Sequence, residues 1–161
     1  MEPIASFTVD HIRLVPGIYV SRIDQDPASG ACITTFDLRF TAPNREPVMD
    51  TATVHALEHL GATYLRNNPT WKNRIVYFGP MGCRTGFYLL VFGQATSRDV
   101  APLLRDLCAY IEAYQGDAPG AHPAECGNYH DSDVPGARYW AKRYRETVLD
   151  CLSDENTQYP A

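Results

Sequence analysis

The sequence predicts an α+β fold, a single layered domain in which helices pack against a mainly antiparallel sheet. Three observations predict it. Two apolar, β-branched segments flank Asp26-Pro27-Ala28-Ser29-Gly30 and read as a hairpin. A second pair of strand-like segments flanks Gly79-Pro80-Met81-Gly82. Stretches with apolar residues at helical spacing follow each pair. A chain of 161 residues is long enough for one domain that buries roughly two-thirds of its unfolded surface, so the domain is expected to span residues 1–161.

In chain order, Ile18 to Ile23 and Ala31 to Phe40 form the first strand pair, and Pro43, Asn44 and Pro47 mark a loop after it. Asp50 or Thr51 caps a helix that runs to about Arg66 and is stopped by Asn67-Asn68-Pro69. Ile75 to Phe78 and Thr85 to Phe92 are the second strand pair. In the clearest helix, Val100, Leu103, Leu104, Leu107, Cys108, Ile111 and Tyr114 recur at helical spacing behind a Thr96-x-x-Asp99 capping box. Gly116 to Glu125 is rich in Gly, Pro and Ala and reads as an irregular loop. A last helix is expected from Pro135 to Leu152, with Trp140, Tyr144, Val148 and Leu152 along one side.

Composition narrows the function classes. Hydrophobic residues make up 45% and charged residues 20%, an ordinary globular balance, and the formal net charge is -5. No basic face of the kind that grips a phosphate backbone is expected, so nucleic acid is excluded as the main partner. No signal peptide is expected at Met1 to Asp10, and the apolar run Phe87 to Phe92 is too short to cross a bilayer, so no membrane partner is expected. Five widely spaced cysteines without a C-x-x-C pair suit a reducing cytoplasm better than a disulfide framework.

The strongest local signal is His55-Ala56-Leu57-Glu58-His59. On a helix advancing about 100° per residue, positions 55, 58 and 59 share an arc of about 100°. Both imidazoles then reach one ion while Glu58 stands beside it without ligating it, an arrangement common to metal-dependent hydrolases and lyases. The plainer reading is a half-buried helix with two satisfied histidines. A third ligand is needed, and Asp, Glu, His or Cys would serve. Cys126, in Glu125-Cys126-Gly127-Asn128, is the first candidate, with His122 and His130 as competitors; alternatively it is a small buried hydrophobe. Three protein ligands would leave a position open for substrate. Cys83 sits in Gly79-Pro80-Met81-Gly82-Cys83-Arg84-Thr85-Gly86-Phe87, where glycines allow a sharp turn and a nearby cation, Arg84 or the metal, would favour the thiolate. An isolated cysteine before a strand is also a common packing residue, the simplest role for Cys32, Cys108 and Cys151.

Taken together, five ordered blocks closely resemble the S-ribosylhomocysteine lyase (LuxS, autoinducer-2 synthesis) family. They are Ser6-Phe7-Thr8-Val9-Asp10-His11, Phe36-Asp37-Leu38-Arg39-Phe40-Thr41-Ala42-Pro43-Asn44, His55-x-x-Glu58-His59-Leu60, Pro80-Met81-Gly82-Cys83-Arg84-Thr85-Gly86-Phe87-Tyr88 and Cys126-Gly127-Asn128-Tyr129. The resemblance implies cleavage of S-ribosylhomocysteine to homocysteine and 4,5-dihydroxy-2,3-pentanedione through successive carbonyl shifts and a β-elimination. It also implies one divalent metal per subunit, Fe(II) with Zn or Co as substitutes, and a homodimer with active sites at the interface. By matching position it implies His55, His59 and Cys126 as metal ligands and Glu58 and Cys83 as the acid/base pair. Ser6, His11 and Arg39 would hold the ribose, and Arg66 the homocysteine end. The sequence departs from the family pattern at Ala56, where Thr is usual, and at Tyr77-Phe78-Gly79, where an acidic residue commonly precedes the Pro-Met-Gly turn.

Two other readings compete. His-x-x-Glu-His also occurs in inverted zinc peptidases, but those chains are larger and take a downstream Glu as third ligand. A non-catalytic metal sensor would close the fourth coordination position and would have no use for Cys83, Ser6, His11 or Arg39.

Overall fold

A computed structural model describes Glu2 and residues 4–160; Met1, Pro3 and Ala161 of the expected 1–161 domain lie outside the described residues. Strands β1 (Gly17–Gln25), β2 (Cys32–Arg39), β3 (Ile75–Pro80) and β4 (Gly86–Phe92) form one sheet in the order β1-β2-β4-β3, and every pairing is antiparallel. Helices α1 (Thr51–Asn67), α2 (Ser97–Ala113) and α3 (Val134–Thr147) pack on it. The α+β class read from the sequence is thus the observed one.

Side chains alternate across a strand, and the register sorts them cleanly. Ile18, Phe36, Leu38, Phe87, Leu89 and Phe78 point to one face and are buried with the apolar stripes of the helices, including Leu57, Leu60, Leu104 and Leu107. The opposite face carries Tyr19, Asp37, Arg39, Tyr88, Leu90 and Tyr77. Its polar end is covered by the C-terminal tail, where Tyr159 stacks on Tyr19 with ring centroids 4.8 Å apart. Toward the β3 edge, Tyr77 and Phe92 remain 46% and 49% exposed, which leaves an apolar surface without a cover in the monomer.

The caps follow the sequence. Asp50 accepts from Thr53 N at 2.9 Å and starts α1, and Thr96 with Asp99 forms the capping box of α2. The last helix differs from its expected span. It starts one residue earlier, at Val134, and ends at Thr147, whose hydroxyl bonds back to the Arg143 carbonyl; a 3-10 turn, Leu149–Cys151, follows. The tighter turn lets Val148 and Leu149 both bury fully, while Cys151, expected to pack, is exposed. The second strand pair also runs further than expected at its first strand, because Gly79 and Pro80 remain in β3 and the turn begins at Met81.

Candidate active site

Two groups of chemistry-bearing side chains stand out. The first is built by α1 and the loop after α2. His55 and His59 lie one helical turn apart with their rings nearly perpendicular, at 89° and 4.5 Å between centroids. His55 Nδ1 donates to the Asp131 carbonyl at 2.6 Å, and His59 Nδ1 donates to the Pro119 carbonyl at 2.7 Å. Each bond fixes the tautomer that carries its proton on Nδ1 and leaves a lone pair on Nε2, the usual outer support of a metal-ligating imidazole. Gly120 allows this approach: its φ is +74°, and a Cβ there would lie 3.2 Å from His59 Nδ1.

Cys126 completes the group. Its Sγ lies 3.4 Å from His55 Nε2 and accepts from Asn128 N at 3.4 Å. The three ligand atoms are all within 4.8 Å of one another, and they form the only such cluster among the described residues. Tetrahedral bonds of about 2.0–2.3 Å separate their donors by roughly 3.3–3.8 Å, so a small closure would seat one divalent ion on this set. His122 and His130 do not join it: His122 Nδ1 accepts from Ala124 N within its own turn, and the exposed His130 ring packs on Tyr129. The side chain of Glu58, half-buried between the two histidines in sequence, makes no hydrogen bond or ion pair among the described residues.

The second group surrounds a cavity of about 580 Å³ whose lining includes Ser6, His11, Arg39, Cys83, Thr85 and Tyr88. Ser6 sits in a 3-10 turn, Ala5–Phe7. Asp10 accepts from Ile12 N at 2.9 Å to hold the next turn, and His11 Nδ1 donates to the Val9 carbonyl at 2.8 Å, leaving Nε2 available. Cys83 lies on the β3–β4 turn. The turn is closed by Arg84 N to the Met81 carbonyl and by Met81 N to the Gly86 carbonyl, each 2.9 Å. Its left-handed residue is Arg84, at φ 59°, rather than a glycine, a strained conformation for a long side chain. Gly86 serves close approach instead, since a Cβ there would stand 2.2 Å from the Leu38 carbonyl oxygen.

The cation beside the thiol is Arg39, not Arg84. Arg39 Nη1 lies 3.9 Å from Cys83 Sγ and donates to Thr85 Oγ1, which itself stands 3.1 Å from Sγ. Burial alone would raise the Cys83 thiol, but hydrogen bonds from Thr85 and the Arg39 guanidinium outweigh it and hold the thiol below its ordinary value. Burial would likewise lower Arg39, yet the Asp37 carboxylate more than offsets it and keeps the guanidinium charged. Arg66 lies apart from both groups, exposed at the end of α1, where Nη2 donates to the Val76 carbonyl at 2.9 Å. None of the described residues lining the Cys83 cavity is a member of the His55, His59 and Cys126 cluster.

Sequence reasoning missed Asp37 and Thr85. Asp37 was within reach of it, because Asp37 and Arg39 are an i, i+2 pair on β2 and so share a face. Thr85 was not, because it meets Cys83 across a turn whose left-handed residue is Arg84. Tyr159 carried no local signal.

Fold and site define a class: a small α+β protein that carries a thiol-bearing cavity and, apart from it, a His-His-Cys group able to hold a metal ion. The family described as S-Ribosylhomocysteinase (LuxS) matches residues 4–155. Over 160 residues the chain is 54% identical to the S-ribosylhomocysteine lyase of Clostridium acetobutylicum, covering 99% of each chain. It is 48% identical over 161 residues to that of Desulfotalea psychrophila, covering 100% of each. It is 49% identical over 160 residues to that of Porphyromonas gingivalis, covering 99% of each. The chain belongs to the S-ribosylhomocysteinase (LuxS) family and is a carbon–sulfur lyase.

Proposed function

We propose that this chain, acting as one catalytic domain over residues 1–161, cleaves S-ribosylhomocysteine to homocysteine and 4,5-dihydroxy-2,3-pentanedione, the autoinducer-2 precursor. The observation that carries the reading is a pairing of features in a family-matched chain: a His-His-Cys donor set, and a cavity that places Ser6, His11 and Arg39 beside a thiol of lowered pKa. His55, His59 and Cys126 would hold one divalent ion per subunit, Fe(II) with Zn or Co as substitutes, and that ion supplies Lewis acidity toward the sugar carbonyl.

The chain's own residues do the rest. Ser6, His11 and Arg39 offer hydroxyl, imidazole and guanidinium groups to the ribose hydroxyls. The Cys83 thiolate removes a proton beside the carbonyl and returns it to the neighbouring carbon, and two such exchanges carry the carbonyl from C1 to C3. Glu58 shares these transfers and takes the C4 proton in the last step, when the C5–S electron pair leaves with sulfur as the homocysteine thiolate. Arg66 is assigned to the homocysteine end.

We further propose a homodimer in which the Cys83 cavity of one copy faces the metal cluster of the other. Support comes from the separation of the two groups within one chain and from the uncovered Tyr77 and Phe92 surface. A reducing cytoplasm suits five free cysteines of which one is the proposed base. There the reaction would serve both quorum-sensing signal synthesis and return of homocysteine to the methyl cycle.

The test is release of homocysteine from S-ribosylhomocysteine by anaerobically purified, Fe(II)-loaded protein, with metal content determined on the same sample. Metal-dependent release, lost on chelation and restored on reloading, is expected. Folded, fully metallated protein that releases no homocysteine would reject this substrate.

A further inference from the structure

The tail after α3 returns across the sheet and reaches the Cys83 cavity from behind. Ile18 N donates to the Asn156 carbonyl at 2.9 Å, and Gly17 permits this closeness, because a Cβ there would stand 2.3 Å from the same oxygen. Tyr159 then lies flat on Tyr19, and its hydroxyl donates to Asp37 Oδ2 at 2.9 Å. That oxygen also receives Arg39 Nη2 at 2.6 Å, while Asp37 Oδ1 receives Nε at 3.1 Å. The Asp37 and Arg39 side chains are each 4% exposed, so the tail hydroxyl takes the place of solvent for this carboxylate. The remaining guanidinium nitrogen, Nη1, is the one aimed at Thr85 and Cys83.

We propose that Tyr159 is a positioning residue for Cys83: its hydroxyl anchors Asp37, and Asp37 in turn holds Arg39 with Nη1 toward the thiol. The proposal rests on the reading of Cys83 as the proton-transfer thiol. Two consequences of losing the hydroxyl point the same way. An Asp37 carboxylate without Tyr159 draws more of the guanidinium charge to itself, and an unanchored Asp37 lets Arg39 swing from the cavity; either change leaves the thiolate with less positive charge nearby. The other charged or titratable groups facing the thiol are His11 from the N-terminal segment, Glu46 from the loop after β2 and Tyr88 from β4. None of them contacts Tyr159 through a hydrogen bond among the described residues, so a change at the tail reaches Cys83 through Asp37 and Arg39. Burial followed by the Asp37 charge raises Tyr159 itself far above the ordinary phenol range, which keeps it a neutral donor through the working pH.

The test compares the metal-loaded full chain with Tyr159→Phe, which keeps the stacked ring and removes the hydroxyl, and Tyr159→Leu, which removes both. Iodoacetamide alkylation of the Cys83 peptide is followed by mass spectrometry across pH, alongside thermal unfolding. Tyr159→Phe is expected to move the alkylation midpoint upward and slow Cys83 alkylation at neutral pH by about threefold or more, with its melting temperature near wild type. A wild-type midpoint in Tyr159→Phe would overturn the proposal, and a shift confined to Tyr159→Leu would overturn it too by assigning the effect to stacking. Turnover of Cys83→Ala tests the underlying reading separately, because the alkylation midpoint does not depend on it.

Discussion

A thiol on an exposed turn ordinarily ionises only in mild alkali, and Cys83 is exposed. Its departure from that behaviour has a local cause: Thr85 Oγ1 at 3.1 Å and the Arg39 guanidinium behind it stabilise the thiolate more than partial burial disfavours it. Thr85 also stands between the two, taking Nη1 of Arg39 and facing Sγ, so it organises the charge as well as bonding to it. Thr85→Val keeps the shape and removes the hydroxyl. The sign follows directly: with the thiolate-stabilising bond gone, the midpoint moves up and the thiolate fraction at neutral pH falls, so alkylation of Cys83 should slow severalfold. The same variant should lose activity at neutral pH and recover part of it in mild alkali, a profile that a purely structural defect would not produce. At this scale the sequence was most informative about residues close in number. His55, Glu58 and His59 share a helix face by arithmetic, and Cys126 was one donor among several until the loop geometry separated it from His122 and His130. Tyr159 was illegible because its partner, Asp37, lies 122 positions away, and no spacing rule spans that distance.

The helix that carries His55, Glu58 and His59 depends on how its first turn is held. Asp50 receives both the Thr53 backbone N–H, at 2.9 Å, and the Thr53 hydroxyl, at 2.8 Å. The same hydroxyl lies 3.2 Å from Asp133, which caps α3, so one threonine ties together the starts of two helices. Gly136 makes room for the junction, since a Cβ there would meet Thr53 Oγ1 at 2.3 Å. Asp50→Ala should cost about 1 kcal/mol, the usual value of an N-cap, measured as a shift in urea midpoint. Hydrogen bonds from Thr53 hold the Asp50 carboxyl below its ordinary value of 3.8, so its folded pKa is depressed. Stability from such a group is present above the unfolded pKa and is lost as pH falls through the folded one. The gap between wild type and Asp50→Ala should therefore be full at neutral pH and shrink below pH 3.8; a gap that stays constant into acid would remove the cap from this account. Helix positions were legible because apolar residues recur at period 3.6, and strand positions because apolar and β-branched runs are bounded by turn residues; burial along β1 and β2 does not itself alternate. The end of α3 was not, because the apolar side expected to run to Leu152 continues through a 3-10 turn, where the same residues bury on a different geometry.

At the scale of the molecule, the arrangement of the sheet separates what the proposed chemistry must join. The His55, His59 and Cys126 side chains come from α1 and the loop beyond α2, whereas Arg39 and Cys83 belong to the sheet face turned away from the helices and to the turn at its end. The sequence blocks could not reveal this division, because side-chain type carries no information about which copy completes a site. The proposed dimer makes a sharp prediction from it. Cys83→Ala disables one kind of contribution and His59→Gln the other, and each homodimer should be inactive. The two are co-expressed with different tags, and the mixed dimer is purified through both. In a shared-site dimer, one site of the pair then contains both defects and the other contains neither, so about half of the wild-type activity per dimer should return. Metal content should follow the same arithmetic, with one loaded cluster per mixed dimer, carried by the Cys83→Ala chain. If each chain instead completed its own site, every site in the mixed dimer would carry one defect. Activity would then stay at the level of the separate variants despite the same metal content, so the pairing of these two measurements distinguishes a shared site from a self-contained one.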